Sequence, residues 1–142
     1  MAGGFLELRS DFVQRSPDAG PTSGAAGTIA RYLTSLVALA WLGPDFPYGT
    51  LIVNLAGAFL IGLVQELGTE TAMMSDNARL FLTTGVMGGL TTYSTFSYET
   101  IRLIEAKAWT SAWVNVVVTT AICLGLCFLG IVVGRFVLSM RG

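Results

Sequence analysis

Histidine is absent from the chain, and cysteine occurs only as Cys123 and Cys127. These two lie four residues apart in one apolar run, so they share a helix face, where free cysteine packs as a small hydrophobe. The lack of histidine and of a Cys/Asp cluster argues strongly against a metalloenzyme centre or a histidine-based catalytic triad. Charge is also scarce. Only 12% of the 142 residues are Asp, Glu, Lys or Arg, about half the roughly 25% of an average soluble domain. The net charge is −1 with no basic patch, which argues against nucleic acid as a partner.

What the chain has instead is apolar length. Hydrophobic residues make up 53% of it and the mean hydropathy is +0.67. The charges gather mainly in residues 1–18, 66–79, 99–107 and 135–141, and long apolar runs separate them. That is the distribution of an all-α membrane protein in a lipid bilayer. A span needs roughly 20 mainly apolar residues. Four segments qualify: about 24–42, 46–67, 78–104 and 112–137. Short connections between them predict antiparallel neighbours in an up-down bundle with both termini on one side.

Residues 23–142 are therefore expected to form the transmembrane domain. Residues 1–22 form a polar, flexible N-terminal extension, ending in Ser16-Pro17-Asp18-Ala19-Gly20-Pro21-Thr22. This lead-in lacks the apolar core of a signal peptide. Lys and Arg in loops set orientation. Arg79, Arg135 and Arg141 lie on the terminal side, against Arg102 and Lys107 on the other. So weak a bias permits insertion both ways round, from which an antiparallel homodimer can assemble. With Arg9 and Arg15 counted, the termini lean cytoplasmic. Four spans are too few to enclose a wide pore, so oligomerisation is expected. Ala58-x-x-x-Gly62, Gly85-x-x-x-Gly89 and Gly130-x-x-x-Gly134 let helices approach closely, either within the chain or between subunits.

The third segment is the most informative. From Thr83 to Tyr98, nine of sixteen residues carry hydroxyls, in a stretch that must cross hydrocarbon. The Gly88-Gly89 pair weakens the helix, and Ser/Thr side chains compete for its backbone hydrogen bonds. Both predict a third helix broken at its centre, near Gly88–Thr92. Freed carbonyls at that depth are tolerated only where protein buries them or where they line a cavity, and converging carbonyls suit a small cation. The alternative is a kinked helix whose hydroxyls bond back to the preceding turn. Beyond the break, Tyr93 and Phe96 are three apart and share a face. Ring edges are electropositive, so edge-on rings can line an anion's path without a trapping charge.

Other polar residues lie inside the spans. An unpaired amide in lipid is costly, so Asn54 must face protein, as a helix–helix clasp or as a donor to a passing anion. Asn115, Thr119 and Cys123 form an i, i+4, i+8 stripe, either a polar track or interhelical glue. Arg31 faces a bundle interior or a water-filled entrance, or snorkels to the headgroups. Glu99 is expected at a solvated helix end.

These residues resemble the Fluc (CrcB-type) fluoride channels, over about residues 24–134. Gly24-x-x-Gly27-Thr28-x-x-Arg31-Tyr32 is similar to the family's first-helix motif. Gly49-Thr50-Leu51-x-Val53-Asn54-x-x-Gly57-x-Phe59-x-x-Gly62 is similar to its second. Gly88-Gly89-Leu90-Thr91-Thr92-Tyr93-Ser94-Thr95-Phe96-Ser97 is similar to its third-helix signature, the most specific of the three.

The resemblance implies a passive fluoride channel of the cell membrane, exporting cytoplasmic fluoride through two pores of an antiparallel dual-topology homodimer. It implies a structural sodium ion at the dimer centre, held by the backbone carbonyls of Gly88 and Thr91. It places Asn54, Tyr93, Phe96, Ser94, Thr95, Asn115 and Thr119 along the pore, with Arg31 at the vestibule. The chain departs from the pattern at Tyr93, where the family usually has Phe, and at Thr28 and Asn115, where Ala and an aromatic are common.

Two other classes share part of this pattern. A small multidrug-resistance-type transporter needs a membrane-embedded carboxylate, and the first span has none. A non-transporting assembly subunit needs small-residue faces but no hydroxyl-rich break.

Overall fold

The computed structural model describes residues 19–69 and 74–140 of the chain, and these are helical apart from short connections. Helix α1 spans Ala19–Leu42 and α2 spans Tyr48–Thr69. After α3 (Asp76–Leu80) the backbone widens into a π-helix, Phe81–Met87, and tightens again in α4 (Gly88–Leu90). Helix α5 runs Tyr93–Glu105 and α6 runs Trp109–Ser139. The first segment thus begins at Ala19, so residues 19–22, expected in the flexible lead-in, belong to a helix. Residues 1–18 of that expected extension lie outside the described residues.

Local chemistry sets the boundaries. Gly43 follows α1 with φ +83° and donates its N–H to the Leu39 carbonyl at 3.1 Å, the left-handed stop that glycine permits. Pro47 precedes α2, where its missing N–H is not needed, and its carbonyl accepts from Leu51 N–H at 3.1 Å. Ser75 caps α3, its Oγ accepting from Ala78 N–H at 3.2 Å. The π-helix is not foreshadowed by the sequence pattern. Within it, Thr83 Oγ1 donates to the Arg79 carbonyl at 2.9 Å, competing with the regular backbone ladder.

Among the described residues, three helices are long and apolar enough to cross a membrane: Thr22–Leu42, Tyr48–Gly68 and Trp109–Ser139. The segment from Asp76 to Glu105 is built from shorter pieces instead. Helix α2 lies chiefly against α6, and α1 against the π-helix, α4 and α2, while α5 leans on α6.

These packings use the small residues. A Cβ on Gly62 would overlap the Cys127 carbonyl, and one on Gly130 would overlap the Phe59 carbonyl. So the Ala58/Gly62 and Gly130/Gly134 spacings serve the crossing of α2 and α6 within one chain. Gly85 and Gly89 press likewise on Ser23 and on the Gly24 carbonyl of α1.

The burial pattern is inverted relative to a soluble protein. Among the described residues, the buried hydrophobic set is small: Ala38, Val53, Met87 and Ala112. Ser23, Thr50, Thr83, Thr92, Thr100, Asn115 and Thr119 are buried as well. Large apolar side chains, among them Leu36, Val117, Leu124 and Phe128, are exposed. Such a surface is stable against lipid tails and unstable against water.

Candidate functional site

The site is built around two residues that are not helical. Thr91 (φ −82°, ψ 152°) and Thr92 (φ −152°, ψ 113°) are extended, between the end of α4 and the start of α5. Gly88, Gly89 and Leu90 are themselves helical, so the glycine pair flanks the irregular stretch instead of forming it. Thr92 restarts the helix. Its Oγ1 accepts from Thr95 N–H at 3.2 Å, donates to Thr95 Oγ1 at 3.0 Å, and lies 3.2 Å from Ser94 Oγ. A threonine before a helix start is a capping signal, and it is the feature by which sequence could have found this buried residue.

Asn54 reaches this stretch from α2. Its Oδ1 accepts from Thr92 N–H at 2.9 Å, and its Nδ2 donates to the Thr92 carbonyl at 3.4 Å. In an unbroken helix, Thr92 N–H would bond to the Gly88 carbonyl. That carbonyl is thereby released, and Gly88 borders open space. The Thr91 carbonyl is released in the same way, because Thr95 N–H goes to the Thr92 hydroxyl.

Beside the stretch lies an open groove of about 450 Å³. Asn54, Gly57, Gly88, Thr91, Thr92, Tyr93, Phe96, Thr119 and Cys123 are among its lining residues. The rings of Tyr93 and Phe96 sit 5.7 Å apart, tilted by 43°. Tyr93 is 81% exposed, so the described chain leaves its ring largely uncovered.

Ser94, Thr95, Asn115 and Arg31 do not line this groove. Ser94 and Thr95 belong to the capping cluster. Asn115 is buried between α6 and α5, its Nδ2 donating to Thr100 Oγ1 at 2.9 Å and its Oδ1 accepting from Thr119 Oγ1 at 3.4 Å. Arg31 lies on α1, and no ion pair to it is found among the described residues. Several hydroxyls of the third segment satisfy its own backbone. Thr83, Thr91, Ser97 and Thr100 all bond back to the carbonyl four residues earlier.

Glu99 departs from its expected place at a solvated end. Its Oε1 accepts from Thr50 Oγ1 at 2.9 Å, and its Oε2 is buried without a hydrogen-bond partner. Arg102 does not reach it but pairs with Glu105 at 2.9 Å. Glu99, Thr50 and Arg102 border a second cavity of about 410 Å³, beneath the Gly43–Pro47 turn. At the opposite end of the bundle, Arg135 pairs with Glu66 at 2.8 Å.

Comparison with known proteins places this arrangement in context. The family described as "CrcB-like protein, Camphor Resistance (CrcB)" matches residues 21–131. A "Fluoride-specific ion channel FluC" of Sorangium cellulosum is 51% identical over 112 residues, 79% of this chain and 88% of the relative. Proteins of the same name from Geobacter metallireducens and Clostridium perfringens are 49% and 46% identical over 112 residues. Each alignment covers 79% of this chain, and 90% and 84% of those relatives respectively.

Proposed function

Because the chain belongs to the CrcB-like family, we propose that this multi-pass membrane protein is a passive fluoride channel that exports fluoride from the cytoplasm. The observation that carries the reading is the groove where Asn54, Tyr93, Phe96 and Thr119 gather beside the extended Thr91–Thr92 stretch. Fluoride is small and tightly hydrated, so a path for it must replace water donors without a cationic trap. Asn54 retains one amide N–H beyond the one given to Thr92. The electropositive edges of Tyr93 and Phe96 continue the path, past Thr119 on the groove wall. Thr92, Ser94 and Thr95 shape the start of α5 and hold both rings in register. Arg31 attracts the anion towards a vestibule.

The groove is open on one side and Tyr93 is mostly uncovered. Both features support a pore completed by a second copy of the chain. An antiparallel pair built this way has two such grooves, and hence two pores. The extended stretch is then the broken centre of the third span, buried at the pair's axis.

A sodium ion at that axis fits the available donors. Among the described residues no group of three or more His, Cys, Asp or Glu could hold a metal, and backbone oxygens are suitable ligands for a small cation. The Gly88 and Thr91 carbonyls lack their helical donors, and such groups are stable in a membrane only with a partner. The Gly88 and Thr91 carbonyls would hold such an ion, which would offset their dipoles and join the two subunits.

The test is fluoride efflux from liposomes containing the purified protein, followed with a fluoride electrode. Flux well above that of empty vesicles is expected, and its absence rejects the channel reading.

A further inference from the structure

Between α5 and α6 lies a polar chain that meets the groove only at Thr119. Asn115 is 1% exposed, and Thr100 and Thr119 are each 8% exposed. Thr119 Oγ1 donates to Asn115 Oδ1 at 3.4 Å, and Asn115 Nδ2 donates to Thr100 Oγ1 at 2.9 Å. Thr100 Oγ1 in turn donates to the Phe96 carbonyl at 2.7 Å. The three donors follow one another in one direction, so each polarises the next. The chain ends on the backbone of the residue whose ring faces the groove.

The other side of Phe96 is held as well. Its N–H points to the Thr92 carbonyl at 3.5 Å, the same carbonyl that takes the Asn54 Nδ2 donor. The peptide groups of Phe96 are thus braced from α2 through Asn54 and from α6 through Asn115. The backbone that carries the ring is linked to both helices.

We infer that Asn115 is a positioning residue for Phe96: through the Thr100 hydroxyl it sets the angle at which the Phe96 ring meets the groove, and it does not contact the permeating ion. This rests on the fluoride path proposed above, in which the ring edge of Phe96 lines the route. The geometry has a chemical requirement. Asn115 must donate to Thr100, because the Thr100 hydroxyl has a single proton and commits it to the Phe96 carbonyl. A residue at position 115 that cannot donate leaves the Thr100 oxygen buried with an unmet lone pair. A valine at position 100 removes the link while keeping the side-chain shape.

The experiment is a double-mutant cycle on fluoride efflux from liposomes, with each variant matched to the wild type in oligomeric state by size-exclusion chromatography. Thr100→Val and Asn115→Leu are each expected to slow efflux about tenfold, the scale of one buried hydrogen bond. The double variant should be no slower than either single one, since both cut the same link. Thr100→Ser, which keeps the donor, should conduct like the wild type.

Multiplicative losses in the double variant would show that Asn115 acts on the ion independently, and would overturn the inference. So would a Thr100→Val protein of normal rate, or a Thr100→Ser protein as slow as Thr100→Val. If Asn115→Leu does not fold, the contrast between Val and Ser at position 100 decides alone. Absence of flux in the wild type removes the channel reading and this inference with it. Normal wild-type flux with a failed cycle removes only the inference.

Discussion

The side chain of Asn54 closes a two-bond ring on the backbone of Thr92, accepting its N–H at 2.9 Å and donating to its carbonyl at 3.4 Å. A primary amide carries the same donor and acceptor as a peptide group, so it can stand in for the neighbour that an extended residue would have in a sheet. This relationship lets an irregular stretch persist between two helical pieces without leaving both polar groups of Thr92 unmet. It also frees the Gly88 carbonyl.

Asn54→Ala removes both bonds and leaves the N–H of a buried residue unpaired. The expected loss is about 1–3 kcal/mol of stability, read as a lower unfolding temperature in detergent, together with loss of fluoride flux. An unchanged melting temperature would show that the clasp contributes nothing.

Replacing Phe96 by Ile removes the ring edge but keeps an apolar side chain. Flux should disappear while the oligomer elutes normally. Tyr93→Phe keeps the edge and loses only a hydroxyl on a largely exposed ring, so efflux close to the wild-type rate is expected. Retained flux in Phe96→Ile would remove the aromatic line from the pore.

The crossing of α2 and α6 makes a prediction with its own control. A methyl on Gly130 meets the Phe59 carbonyl, and backbone cannot rotate away as a side chain can. Gly130→Ala should cost about 1–3 kcal/mol through overpacking. A Cβ on Gly125, in the same helix, meets nothing within 4 Å. Gly125→Ala should be neutral, or stabilising by up to about 1 kcal/mol from helix propensity. Equal melting temperatures for the two variants would contradict the crossing.

Replacing sodium by a large organic cation during purification should weaken the dimer, seen as a shift towards monomer in size-exclusion chromatography. The effect should be small at high protein concentration and grow on dilution, as mass action requires. A dimer indifferent to sodium argues against a cation on the Gly88 and Thr91 carbonyls.

Much of the fold was legible because lipid imposes a coarse rule on sequence. Apolar runs of about 20 residues separated by charge mark helices long enough to span, and α1, α2 and α6 lie where those runs lie, within a few residues. The unusual density of hydroxyls sets the third segment apart for the same reason. The groove's aromatic pair was legible too, since a spacing of three puts two rings on one helix face.

The roles of individual polar atoms were not legible, because each has several chemically acceptable partners. Asn54 and Asn115 look alike in sequence, yet one borders the groove and clasps an extended backbone, while the other is sealed between α5 and α6. Gly88-Gly89 marked a weak point, but the helical path yields at Thr91–Thr92, where the Asn54 amide and the Thr92 hydroxyl supply replacement bonds. Glu99, expected at a helix end, sits midway along α5, where Thr50 of another helix meets it. Composition and periodicity by themselves determined that this chain is a bundle of membrane helices with a hydroxyl-rich third segment. Only the tertiary structure decided which donor meets which acceptor, because a hydrogen bond depends on distances between helices that are remote in sequence.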